Sequence, residues 1–270
     1  MSSGKYGDGK SAWDLSDWGR PLARFAATIL RERRVSVLMV TNTHLLMSVL
    51  GAFLIINSRV VEGCALLVLK GVVDAVDGEL ARIRERPSHV GRYWDTIADT
   101  IGLGFVMYAF GQHLGWEALY TAGIVLAVLL QYSLFNHFSV MMRSLGEGET
   151  ISRVDEWERP VAKPWEKQSH VDLLHRVYVV GFSWQDRLVS SITGKTRLGY
   201  SFELTASSLL GYGFQSLVVL SLSLTGNLEF LDELVLYANS SVALAAVVAS
   251  HIRWSCLLYT SPSPRDRVLS

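Results

Sequence analysis

Charge is scarce in this chain, and neither sign prevails. Of 270 residues 19% are charged, and 25 Lys+Arg offset 25 Asp+Glu to a formal net charge of zero. An average soluble domain carries about 25% charge. Neutrality excludes a strongly basic nucleic-acid binder at the level of the whole chain, and 50% hydrophobic residues exclude a disordered one. Cysteine is nearly absent as well. Cys64 and Cys256 can build neither a disulfide framework nor a four-cysteine zinc site. What is left is a membrane protein or a soluble protein with a large core.

Where charge is missing locally separates the two. Residues 35–57 run for 23 positions without a formal charge, enough to cross a bilayer core, which takes about 20 helical residues. Further spans are expected at 60–83, 93–114, 118–142, 204–228 and 234–252, of which 118–142 and 204–228 are also uncharged. A soluble amphipathic helix keeps a charged face; these three have none. The expected fold is therefore all-α, a polytopic membrane protein with six transmembrane helices.

Lys and Arg then set its orientation. Arg20, Arg24, Arg31, Arg33 and Arg34 precede the first span, and Arg84, Arg86 and Arg92 lie around the second connection. Nine Lys/Arg fall between Arg143 and Arg197, whereas 112–117 and 226–233 hold none. Alternate loops are basic, which places both termini on the cytoplasmic side, with a bacterial inner membrane the expected location. Residues 1–34 lack the short apolar core of a secretory signal peptide.

The chain divides into an N-terminal cytoplasmic segment (1–34), a membrane domain (35–252) with a cytoplasmic insertion at 144–202, and a tail (256–270). The start of that tail resembles an in-frame translation of a sequencing adapter and is read as non-native. Two segments are expected to lie on the membrane surface. Pro21 opens one, with Leu22, Phe25, Ala26, Ile29 and Leu30 at helical spacing among arginines. Residues 170–192 form the other, with Leu174, Val177, Tyr178, Phe182, Leu188 and Val189 on one side. Both read as interfacial amphipathic helices, with plain cytoplasmic packing helices as the alternative.

The chemistry concentrates in 74–99. Asp74 and Asp77 stand three apart and Asp95 and Asp99 four apart, so each pair shares a helix face. Gly78 and Ala81 extend the first stripe, Arg82 flanks it, and Gly91 lies one turn before Asp95. A short connection with Pro87 joins the two helices, which should pack antiparallel with their acidic faces together. Ionisable groups inside a bilayer are by default functional, and four carboxylates are most cheaply balanced by a divalent cation. Oxygen ligands select Mg²⁺, Mn²⁺ or Ca²⁺ over zinc. The bland alternative is two helix ends with solvated acids.

The pattern D-x-x-D-G-x-x-A-R-(x)8-G-x-x-x-D-x-x-x-D, carried by Asp74, Asp77, Gly78, Ala81, Arg82, Gly91, Asp95 and Asp99, resembles the signature of the CDP-alcohol phosphatidyltransferase family at every position. The motif covers only 74–99; the topology agrees over about 35–252. The resemblance implies a membrane enzyme of phospholipid biosynthesis. It would move a phosphatidyl or other phospho-alcohol group from a CDP-alcohol, CDP-diacylglycerol above all, to an acceptor hydroxyl with release of CMP. It implies that Asp74, Asp77 and Asp95 hold Mg²⁺ or Mn²⁺, two ions in all. Asp99 would complete the metal site and act as general base. Gly78, Ala81 and Arg82 would receive the CDP moiety, and Gly91 would let the third helix approach it. A homodimer in the bilayer is also in keeping with the family, and no nucleic acid is expected.

Other polar residues are assigned structural roles. Lys70, one turn before Asp74, is read as its salt-bridge partner. His44, with Asn42 and Thr43, interrupts the first span and is left out of the site as hydrogen-bonded structure; Asn136 and His137 are treated alike. The competing function is a non-enzymatic divalent-cation transporter. It would use the four acids but leaves the spacing of Gly78, Ala81, Arg82 and Gly91 without a purpose. The identity of the acceptor is not legible at this level.

Overall fold

The computed structural model describes residues 13–144, 158–194 and 200–260, with side chains as far as residue 252. Among the described residues there are helices and no strands. A short 3-10 turn, Leu15–Asp17, is capped by Asp14 and leads into α1 (Arg20–Leu30), with Pro21 in its first turn. Four long helices follow: α2 (Val37–Ile56), α3 (Val60–Ile83), α4 (His89–Leu114) and α5 (Ala118–Ser144).

The helix ends follow from local chemistry. Ser36 and Ser88 cap α2 and α4, their hydroxyls accepting from the amides of Met39 and Gly91. Gly115 closes α4 in the left-handed region. Ser58 and Glu85 close α2 and α3 in that same region although neither is glycine. After α3 the Glu85 amide donates to the Arg82 carbonyl and the Arg86 amide to the Ala81 carbonyl, the paired bonds of a Schellman cap.

α2 organises the bundle. It packs along both α3 and α4, while α3 and α4 meet each other only sparsely. This corrects the expectation that the two acid-bearing helices lie directly face to face: α2 stands between them. Its buried positions, Thr41, His44, Ser48, Gly51 and Ile55, form one stripe of mostly small or polar residues, and Leu46, Leu50 and Phe53 face outward. Small residues let backbones approach closely. A Cβ on Gly63 would lie 2.9 Å from the Gly51 carbonyl, and one on Gly102 would meet the Ser48 hydroxyl at 2.8 Å.

By length and composition α2, α5 and the run Leu228–Ile252 can each cross a membrane. The pair Ser201–Leu210 and Tyr212–Leu224, bent by 40°, makes a fourth if it counts as one span. The expected span at 204–228 is thus not one straight helix; it breaks at Gly211, between the 3-10 turn Ser208–Leu210 that follows α8 (Ser201–Ser207) and α9 (Tyr212–Leu224). α3 and α4 have the length, at 24 and 26 residues, but carry the acids and their partners. The helices are compatible with a multi-pass membrane protein. The last one contains α10 (Leu231–Glu233), a π-helical turn Leu234–Asn239 and α11 (Ser240–Thr260). It therefore starts before the expected 234 and runs into residues 256–260 of the tail; 261–270 lie outside the described residues.

The two surface segments form helices. α1 buries Ala23 and Ala27 among Val76 and Leu80 and leaves Leu22, Phe25 and Ile29 exposed. Residues 170–192 are two helices, α6 (Gln168–Gly181) and α7 (Ser183–Ile192), broken at Phe182. Tyr178 and Val189 turn inward, and Val177 and Leu188 remain exposed. The insertion reaches α4. Glu166 accepts from the Ser88 hydroxyl and the Val90 amide at 2.8 and 2.7 Å, placing a carboxylate at a helix N-terminus where the dipole favours it. Its own base is held by exposed Asp172, whose carboxyl is pulled down to about 2 by hydrogen bonds from Arg159 and Gln168.

Candidate active site

The acids of α3 and α4 converge, and the residue at their centre comes from α2. His44 is wholly buried. Its Nε2 lies 3.2 Å from Asp95 Oδ1, 3.6 Å from Asp74 Oδ1 and 3.8 Å from Asp77 Oδ2, and its Nδ1 lies 3.7 Å from Asp99 Oδ1. All four aspartates thus face one imidazole. The Thr41 hydroxyl, one turn earlier, donates to Asp77 Oδ2 at 2.9 Å. Asn42 points elsewhere, accepting from the Trp94 indole at 2.8 Å.

Lys70 pairs with Asp74, as the spacing suggested, and with Asp99 as well. Its ammonium is 2.5 Å from Asp99 Oδ1 and 3.3 Å from Asp74 Oδ2, and it sits 4.2 Å from the centre of the Tyr212 ring. The lysine is as buried as the histidine is, at 3% exposure. Asp99 is therefore held by Lys70 beside the other three acids, and it is the most open of the four, with 39% of its side chain exposed against 10% for Asp77.

One ligand atom each from His44, Asp74, Asp77 and Asp95 fall within 4.8 Å of one another. Opposite ligands round a divalent ion with bonds of about 2.1–2.4 Å stand roughly 4.2–4.8 Å apart, so the cluster has the size of one ion. The charge balance points the same way. Four carboxylates against one ammonium leave three negative charges in a place where burial is expensive. His44 Nδ1 is buried without a hydrogen-bond partner, the proton-bearing nitrogen that would remain if Nε2 met a metal, and it faces a carboxylate as ligating histidines commonly do. The residues present fit a divalent cation, with a nitrogen in the set that the oxygen-only expectation lacked.

The remaining motif positions lie beside this cluster on the ends of the same helices. A Cβ at Gly78 would stand 3.3 Å from the Arg82 guanidinium, the flexible end of that side chain. Arg82 is bonded to buried Glu79 at 2.9 Å, and Glu79 also binds Arg20 of α1 at 3.0 Å and Arg24 at 3.5 Å. A basic group of three therefore gathers near the acids through one carboxylate that sequence reasoning passed over. Gly91 occupies the first turn of α4, with its amide capped by Ser88 and the rim of a would-be Cβ touching only Ser88. Ala81 lies on the last turns of α3.

Residues 36–152 match the family model described as CDP-alcohol phosphatidyltransferase. That stretch of the chain is similar to a CDP-alcohol phosphatidyltransferase domain. No curated protein matches it. The match begins at the Ser36 cap of α2 and takes in His44, Lys70 and all four acids. A phosphotransferase of this family transfers a phosphoalcohol from a CDP-alcohol to a hydroxyl in phospholipid synthesis, and the family uses a divalent metal. The cluster of His44, Asp74, Asp77 and Asp95 lies within the matched residues and could bind such a metal.

Proposed function

We propose that the protein transfers a phosphatidyl group from CDP-diacylglycerol to an acceptor hydroxyl, releasing CMP, at a centre built from Asp74, Asp77, Asp95 and Asp99. The observation that carries this reading is the convergence of the four acids of the family motif on one buried point. Asp74, Asp77 and Asp95 would hold the metal, Mg²⁺ or Mn²⁺, and Asp99 would complete the site for a second ion. Bound there, the metal would neutralise charge on the donor diphosphate. Gly78, Ala81, Arg82 and Gly91 line the way to the nucleotide, where Arg82 can exchange Glu79 for a phosphate.

Asp99 is the base. It is the most open of the acids, and Lys70 at 2.5 Å fixes its orientation. It takes the proton as the acceptor oxygen attacks phosphorus, a role that needs a carboxylate within hydrogen-bond reach of the hydroxyl. Six spans with cytoplasmic termini put this centre on the side where CDP-linked donors are found. The basic loops support that orientation, and the six long helical units in order support the count.

The test is Asp99→Asn in purified enzyme with CDP-diacylglycerol and a panel of hydroxyl acceptors. CMP release should fall by about 10³-fold, in the range of general-base removal, while metal-dependent donor binding stays within a few-fold. Turnover like that of the unaltered enzyme would remove Asp99 from the base role. Metal transport into vesicles without CMP release would favour the transporter instead.

A further inference from the structure

Next to Asp99 a cavity opens into the bundle, about 970 Å³ including its open mouth. Asp99 and Phe110 both line it; eleven residues apart on α4, they make it about 16 Å deep at 1.5 Å per residue. Its mouth is polar, with Lys70, Tyr132 and Tyr212 around Asp99. Below, its wall is apolar: Leu103, Val106 and Phe110 of α4 face Leu231 and Val235 of the last helix. The wall from α9 and the last helix lies beyond the family match, which ends at residue 152.

Two features make the cavity a built one. Gln131, Gln215 and Asn239 hydrogen-bond to one another at 3.1–3.3 Å, tying α5, α9 and the last helix together. The Gln131 amide also donates to the Val235 carbonyl at 2.8 Å, inside the π-helical turn Leu234–Asn239, a geometry that recurs at functional sites. The second feature is charge. Lys70 and Asp99 are the only charged side chains among the lining residues, and they are paired with each other.

That inventory selects among acceptors. A phosphorylated or carboxylated alcohol would bring an anion to a wall with no spare cation, and an uncompensated buried charge costs several kcal/mol. A small neutral polyol would leave the deep apolar wall unfilled, whereas ligand cavities are matched to what they bury. An alcohol with a long hydrocarbon body meets both demands.

We propose that this cavity is the acceptor site and that the acceptor is a neutral lipid alcohol, its hydroxyl at Asp99 and its chain along α4. This rests on the transferase reading above. The acceptor oxygen forms a bond to the phosphorus bearing the donor alcohol, the bond from that phosphorus to the CMP oxygen breaks, CMP leaves with the electron pair, and the hydroxyl proton passes to Asp99. The product is a lipid phosphodiester.

The experiment uses the purified full chain in nanodiscs with CDP-diacylglycerol and Mn²⁺. A monoacylglycerol should raise CMP release at least tenfold, and glycerol 3-phosphate, inositol phosphate and serine should not. Val106→Trp, which fills the cavity away from the reacting groups, should raise the KM for monoacylglycerol about tenfold with kcat within threefold. Release driven by a polar acceptor, indifferent to Val106→Trp, overturns the lipid acceptor and keeps the transferase. If no acceptor gives CMP, the transferase reading fails, and a monoacylglycerol carrying a photoreactive diazirine decides the cavity separately. Labelling of α4 and the last helix at cavity residues supports the site; labelling of outward residues alone sinks it.

Discussion

Replacing His44 by leucine removes the one nitrogen among the candidate metal ligands while keeping a side chain of similar bulk on the buried stripe of α2. The histidine stands within 3.2–3.8 Å of Asp74, Asp77 and Asp95 through Nε2. If that nitrogen meets the metal, its loss takes one of four protein ligands and also frees Asp95 from its hydrogen bond. Loss of even an outer-shell partner typically weakens metal binding 10–100-fold, so a lost ligand should cost about 100-fold, or ~2.8 kcal/mol at 1.4 kcal/mol per decade. Imidazole favours transition metals over Mg²⁺, so Mn²⁺ affinity should fall by more than Mg²⁺ affinity. Titration followed by the electron spin resonance of free Mn²⁺ gives both numbers, the second by competition. Spin-echo modulation from ¹⁴N should be present in the Mn²⁺-loaded protein and absent in His44→Leu. An unaltered protein without nitrogen modulation, together with a variant affinity within threefold, would refute the reasoning and reduce His44 to a hydrogen-bond partner of Asp95.

Two further predictions concern the frame around the site. The Arg84 guanidinium donates to the carbonyls of Leu30, Arg31, Arg33 and Val35 at 2.6–3.1 Å, stapling the α1–α2 loop to the end of α3. Arg84→Met should cost about 2 kcal/mol, since bonds from a charged donor are worth about 1.5–3 each and exposed carbonyls recover water. That is a fall of roughly 4–8 °C in melting temperature for a chain of this size, and an unchanged value would show the staple to be idle. Glu85 sits at φ +50° in the cap of α3, a conformation that costs an L-residue about 1–2 kcal/mol. Glu85→Gly should therefore raise the melting temperature by a few degrees, and a decrease would mean that the Glu85 side chain holds the turn.

How much of this was legible depended on which signal a membrane interior leaves in the sequence. The acids of α3 and α4 were found because charge is rare there and its spacing is helical, so Asp74, Asp77, Asp95 and Asp99 could be placed on shared faces without knowing the fold. His44 was passed over because it lies in a run with no charge, where hydropathy distinguishes nothing. The signal was a different one. Thr41, His44, Ser48 and Gly51 recur at three and four residues among Leu, Met, Val and Phe, and in a lipid-facing bundle it is the small and polar stripe that turns inward. Read that way, α2 belongs at the centre, with its one imidazole among the carboxylates. The partnership of Lys70 with Asp99 was hidden for another reason: spacing reports neighbours on the same helix, and Asp99 is 29 residues away on α4. The break at Gly211 was invisible in an uncharged stretch because its cause lies outside it, where Gly211 and Gly213 press on Ser16 of the N-terminal turn and the Gly213 amide donates to the Ser16 hydroxyl at 3.0 Å. The same turn of α9 carries Tyr212, whose ring centre lies 4.2 Å from the Lys70 ammonium, so an N-terminal turn far from the motif packs beside the residue that contacts Lys70.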